Sequence, residues 1–146
     1  MDFFKDNYCI STDKNKLDVA FIHRFLSHSY WAENIPVAVV VKSIEHSMCY
    51  GVYENLQQIG FARVISDHST FAHLADVFID DNYRGRGLSK WLMEIIMADR
   101  ELQGLRSFQL GTKDAHGLYA QFGFKPWEDT GRMMRIYVPD IYKKSI

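Results

Sequence analysis

His-Leu-Ala-Asp-Val-Phe-Ile-Asp-Asp-Asn-Tyr-Arg-Gly-Arg-Gly-Leu-Ser-Lys-Trp-Leu-Met-Glu-Ile, residues 73–95, is the stretch that decides the fold. Its first seven residues are largely apolar and read as a central, buried strand. Asp80 through Gly87 are turn formers and loop formers. Leu88, Trp91, Leu92, Ile95, Ile96 and Leu102 then recur on one face of a helix predicted over residues 88–102, with Gly104 as its stop. A short strand is predicted over 107–111. Strand, glycine loop, long helix and strand make a βαβ crossover, and such a crossover pairs its strands in parallel.

Upstream, residues 49–53 and 59–65 read as two strands joined by the turn Glu54-Asn55-Leu56-Gln57, an antiparallel hairpin. Further upstream, Ser11-Thr12-Asp13 offers capping oxygens before a helical stripe of Leu17, Ala20, Phe21, Arg24, Phe25 and Leu26. Pro36 suits the first turn of a second helix running to about His46. Downstream, a short helix over 115–122 stops at Gly123, and residues 133–138 read as a closing strand. The fold class is α/β (α+β) with a mixed sheet, and the chain, residues 1–146, reads as one domain because no linker divides it.

The composition of the 146 residues is 47% apolar and 24% charged, as in a folded core rather than a disordered chain. Seventeen Lys and Arg stand against 18 Asp and Glu, for a net charge of −1. That balance lacks the electrostatic footprint of a nucleic-acid or anionic-membrane binder. The longest apolar run, at residues 37–41, is far short of the ~20 residues of a membrane span. With no secretory signal at the start and only Cys9 and Cys49, read as reduced thiols, a cytoplasmic location is expected. The six histidines form no metal-binding pattern, and no metal is expected.

The chemistry concentrates at Arg84-Gly85-Arg86-Gly87-Leu88-Ser89. Glycines let backbone approach a ligand, the free amides of a helix's first turn favour an anion, and arginines add fork-shaped donors. A phosphate or pyrophosphate is the implied ligand. The Walker pattern is absent, and Lys90 stands where a dinucleotide fingerprint needs glycine.

Arg-Gly-Arg-Gly-Leu-Ser resembles the pyrophosphate-binding [Q/R]-x-x-G-x-[G/A] motif of the GNAT N-acetyltransferase superfamily, with Ser89 in place of the usual Gly or Ala. Ala115-His116-Gly117-Leu118-Tyr119-Ala120-Gln121-Phe122-Gly123-Phe124 resembles that superfamily's A-x-x-L-Y-x-x-x-G-F helix. The resemblance spans residues 47–138. It implies a mostly antiparallel sheet flanked by helices, with one parallel strand pair splayed to admit acetyl-CoA as cosubstrate. It also implies that the backbone of Val77, Phe78 and Ile79 holds the acetyl and pantetheine arm, with a backbone N–H around Phe78 as oxyanion donor. Arg84, Gly85, Arg86, Gly87, Leu88 and Ser89 would hold the pyrophosphate, and Phe122 would line the same site. Tyr119 matches the family's general acid. Thr112 replaces a cofactor-contacting asparagine found in many members.

His73 or Asp76 is the candidate base or substrate contact. Strand alternation puts the two on opposite faces unless a bulge intervenes. Tyr30, Trp31 and Trp127 are candidate pocket walls, and the acids Asp67, Asp76, Asp80 and Asp81 are candidates for attracting a cationic acceptor. The implied activity is acetyl transfer to a primary amine of a small molecule or peptide by direct attack in a ternary complex, with a homodimer expected from the family. A non-catalytic acyl-CoA sensor of the same fold is the alternative.

Overall fold

The computed structural model describes residues 1–128 and 131–143. The chain begins with a hairpin that its residue pattern hides: β1 (Asp2–Lys5) and β2 (Tyr8–Ser11), turned at Asp6 with φ of 54°. Both strands have only four residues, too few to display a period of two. The stripe expected to follow Asp13 begins later. Asp13 caps a single 3-10 turn, and α1 (Val19–Ser27) starts at Asp18, whose carboxylate accepts the Phe21 amide. α2 (Val37–Glu45) follows Pro36.

β3 (Met48–Glu54) and β4 (Gln57–Ser66) form the expected antiparallel hairpin, and β5 (Phe71–Ile79) is the central apolar strand. α3 (Leu88–Met97) is shorter than its periodicity suggests, because Asp99 caps a separate 3-10 turn at Arg100–Leu102. β6 (Ser107–Leu110) and α4 (His116–Ala120) complete the regular elements. The six strands lie in sequence order in one sheet, with every pairing antiparallel except β5 with β6. The fold class is as expected.

α1 and α2 cover one face of the sheet through Phe21, Ile22, Leu26, Val40 and Ile44, packed on Phe61 and Phe78. α3 and α4 cover the other, where Leu88, Leu92, Met93, Ile96 and Tyr119 meet Val52, Val64 and Leu74. Gly60 permits the close approach of β4 to β5: a Cβ there would stand 2.9 Å from the Phe78 carbonyl oxygen and 2.7 Å from Ile79 Cδ1.

One expectation fails. Residues 133–138 form no strand; they run exposed beyond α4, with Ile136 98% exposed. The alternation that suggests a strand is present, but no strand edge among the described residues pairs with it.

Candidate active site

β5 and β6 pair only from Phe71↔Ser107 to Leu74↔Leu110, while β5 continues to Ile79. Pairing stops there because β6 itself ends at Leu110, and beyond Leu74 that edge of β5 has no strand partner among the described residues. On the other edge the Asp80 amide donates to the Ile59 carbonyl at 2.7 Å. By alternation back from Asp80 the Phe78 amide faces β4 as well, and the Ile79 amide faces away from it. The side chains of all three residues pack in the core: Phe78 stacks on Phe25 at 3.8 Å, while Val77 and Ile79 face the opposite cluster.

This change of face marks a bulge. Ala72 and Leu74 point to the α3 face, yet Phe78 points to the α1 face and Ile79 back to the α3 face. The register slips between Phe61 and Arg63 of β4, and Asp76 takes φ of 56°, a left-handed conformation that Asp tolerates better than most residues. The bulge puts Asp76 on the same side as His73. Asp76 accepts from Arg63 Nε and from Trp31 Nε1, both at 2.9 Å. His73 lies within the field of Arg63 and Asp76; burial first, then Arg63, hold its pKa below the ordinary value. Gln109 Nε2 stands 3.1 Å from His73 Nδ1, and an N–H donated there puts the neutral ring's proton on Nε2.

Arg63 was not singled out by the sequence reading. Its signal was a lone cation in the apolar run Ile-Gly-Phe-Ala-Arg-Val-Ile of β4, complementary to Asp76 in β5. The acids expected to attract an amine are scattered and engaged instead. Asp67 caps its own turn at Ser69, Thr70 and Phe71, Asp80 accepts from Asn82, and Asp81 pairs with Arg84 at 2.8 Å.

Past Ile79 the chain makes a 3-10 turn (Asp81–Tyr83) and enters α3 through Gly85 and Gly87, with φ of 78° and 75°. Nothing lies within 4 Å of a Cβ built on either glycine, so the loop surface is open to a ligand. The first helical bond of α3 runs from Trp91 N–H to Gly87 carbonyl; the amides before it have no intrahelical acceptor. Leu88 is buried in the core below, and Ser89 stands in the helix's first turn. The two arginines differ. Both are exposed, but Arg84 is held by Asp81 and donates to the Ile79 carbonyl at 3.4 Å, whereas Arg86 donates to the Tyr8 hydroxyl at 2.8 Å and lies 4.8 Å over the Tyr83 ring.

Tyr119 is buried on α4 with its ring edge-on to Phe124 at 6.1 Å. Burial, then Tyr30, push its pKa up, so the phenol keeps its proton through neutral pH. Tyr30 carries Lys113 over its ring at 5.4 Å and touches Trp31 at 5.1 Å. Contacts therefore run from Lys113 and Tyr30 through Trp31 to Asp76 and Arg63, with His73 in the field of that pair. Trp127 is apart from them, beside Phe108, Phe122 and Phe124 in a cavity of about 630 Å³ on the far side of β6. Thr112 accepts the Ala115 amide at 3.0 Å and so helps to start α4.

Residues 45–126 match the family model described as an acetyltransferase (GNAT) domain. The chain belongs to the GNAT acetyltransferase family. A GNAT-family crystal structure from Xanthomonas campestris pv. campestris shares 49% identity, covers 95% of this chain and 99% of its own, and superposes with a TM-score of 0.92. The acetyltransferase-named FG08082 of Gibberella zeae is 28% identical over 92% of this chain and 88% of its own length. A GNAT acetyltransferase of Elizabethkingia anophelis, solved with acetyl-CoA bound, shares the fold at a TM-score of 0.63 and 14% identity, over 83% of this chain and 78% of its own.

Proposed function

We propose that the chain is an acetyl-CoA-dependent N-acetyltransferase that acetylates a primary amine by direct attack in a ternary complex. The observation that carries this reading is the edge of β5 left without a strand partner beyond Leu74, where β6 has ended, continuous in sequence with the glycine-opened start of α3. An extended thioester arm ending in a pyrophosphate matches that arrangement: strand-like backbone bonds for the arm, first-turn amides and Arg84 for the phosphates. Acetyl-CoA supplies the activated acyl group when bound.

Three tasks remain for the protein. An alkyl ammonium must lose its proton, at about 4.6 kcal/mol at pH 7 for a pKa of ~10.4. Both oxygens of Asp76 already accept hydrogen bonds, and His73 receives one at Nδ1. In this reading neither is a free base, and the proton leaves to water; Asp76 is a positioning residue that holds Trp31 against the site. A backbone N–H around Phe78 on this edge of β5 donates to the thioester oxygen as charge builds on it. The amine nitrogen bonds to the acyl carbon, the carbon–sulfur bond breaks, the Tyr119 hydroxyl gives its proton to the departing sulfur, and the second proton shed by the attacking nitrogen returns through water to the Tyr119 phenolate, leaving the amide and the free thiol.

The test is free-thiol release from acetyl-CoA across amino acids, polyamines, aminoglycosides and peptides, with Tyr119→Phe in parallel. We expect turnover with at least one class, and a fall of tenfold or more in kcat for Tyr119→Phe with CoA affinity within about twofold. CoA binding with no thiol release on any acceptor would favour the sensor. Failure to bind CoA would remove the reading altogether.

A further inference from the structure

Tyr30 and Trp31, in the connection between α1 and α2, are 63% and 43% exposed. Contiguous aromatic surface left in water marks a ligand or interaction site. These two rings are fixed rather than loose. Trp31 has one polar donor, and its Nε1–H is spent on the Asp76 carboxylate at 2.9 Å, a side chain only 9% exposed. The indole also packs against Phe25 at 6.4 Å, and Phe25 stacks on Phe78 of β5. Tyr30 meets Trp31 edge-on, at 5.1 Å and 80°. The two rings make a corner, which receives a third flat ring stacked on one and edge-on to the other.

A charge stands over that corner. Lys113, in the loop between β6 and α4, holds its ammonium 5.4 Å from the centre of the Tyr30 ring. Among the described residues no carboxylate pairs with it, neither Asp114 beside it nor Glu33 near Trp31. The carboxylate that does reach the corner, Asp76, has both oxygens taken, by Trp31 and by Arg63. Of the charged groups bonded to the two rings, the anion is therefore engaged and the cation is available. An acceptor carrying a second ammonium meets Lys113 as a like charge, whereas one carrying a carboxylate meets it as a partner. The corner also stands beside the chemistry: Tyr30 lies within the electrostatic reach of the Tyr119 hydroxyl, and Asp76 immediately precedes Val77.

We propose that the acceptor is a free aromatic α-amino acid, its ring in the Tyr30–Trp31 corner, its carboxylate on Lys113 and its α-amine the group that is acetylated. Only the last of these clauses rests on the acetyl-transfer reading. Carboxylate and amine share one carbon, so pairing at Lys113 also fixes where the amine stands. The nitrogen–carbon bond forms and the carbon–sulfur bond of the thioester breaks, giving the N-acetyl amino acid and the free thiol of CoA. Of the three ammonium protons, one stays on the amide nitrogen, one passes to water, and one replaces the proton that Tyr119 gives to sulfur.

The test pairs thiol release with binding. Tryptophan, tryptamine, glycine and spermidine are compared at saturating acetyl-CoA, and tryptophan binding to the CoA-loaded protein is followed by saturation-transfer NMR. We expect kcat/KM for tryptophan to exceed that for each of the other three by tenfold or more. Lys113→Glu, at an exposed loop position, should reverse the order of tryptophan and tryptamine through KM, and Trp31→Ala should weaken both indoles by tenfold or more. Faster turnover of tryptamine or spermidine than of tryptophan, or a tryptophan preference that Lys113→Glu leaves intact, overturns the proposal while acetyl transfer stands. If no amine releases thiol, tryptophan binding that is lost in Lys113→Glu upholds the ligand class and overturns acetyl transfer. If such binding is missing as well, both fall.

Discussion

Asp76→Asn isolates the charge at the bulge with little else changed. Asparagine tolerates the left-handed φ of 56° and still accepts a bond from Trp31, but no longer neutralises Arg63. The side chains of Arg63 and Asp76 are only 16% and 9% exposed, so solvent screens the pair weakly. Breaking one partner of a buried pair costs about 3–5 kcal/mol, and the remaining exposure argues for the lower end, about 3 kcal/mol. For 146 residues at ~2.1 cal/mol/K each, the unfolding entropy is about 0.3 kcal/mol/K, which makes the loss about 10 °C in Tm. Urea unfolding at unchanged m-value measures it. Arg63→Met combined with Asp76→Asn should recover at least about 1 kcal/mol relative to the sum of the singles, because no buried charge is then left unpaired. A single variant within about 0.5 kcal/mol of wild type, or strict additivity in the cycle, would refute the view that this ion pair locks the bulge.

Other outcomes follow from the same geometry. His73 titrates below its ordinary range when folded, so the unfolded chain takes up the proton first as pH falls below ~6.5. Stability should decline from there down to the folded pKa, and His73→Gln should flatten that decline in Tm measured between pH 7.5 and 5. Gly60→Ala should destabilise by about 1–3 kcal/mol in denaturant titration, since the Phe78 carbonyl belongs to β5 and cannot step aside. If Tyr119 is the acid, its loss of activity on deprotonation should appear only above pH ~10 in kcat profiles, because burial raises its pKa; a limb near pH 9 that vanishes in Tyr119→Phe would contradict that environment.

The stretch at residues 73–95 was legible because each part of it is dictated locally. An apolar strand, glycines at positive φ and a helical stripe all point to the same crossover. The hairpin at Asp2–Lys5 and Tyr8–Ser11 was not legible, since four-residue strands draw their stability from pairing with a neighbour rather than from their own pattern. The site shows the same division. The amides at the start of α3 could be inferred from Gly85 and Gly87. The shared face of His73 and Asp76 depends on a bulge that becomes apparent only when β4 and β5 are registered against each other.

Residues 133–138 carry that division one step further. Their alternation correctly reports what the segment is suited to do, yet pairing is a property of two edges, and the described part of this chain leaves the β6 edge empty.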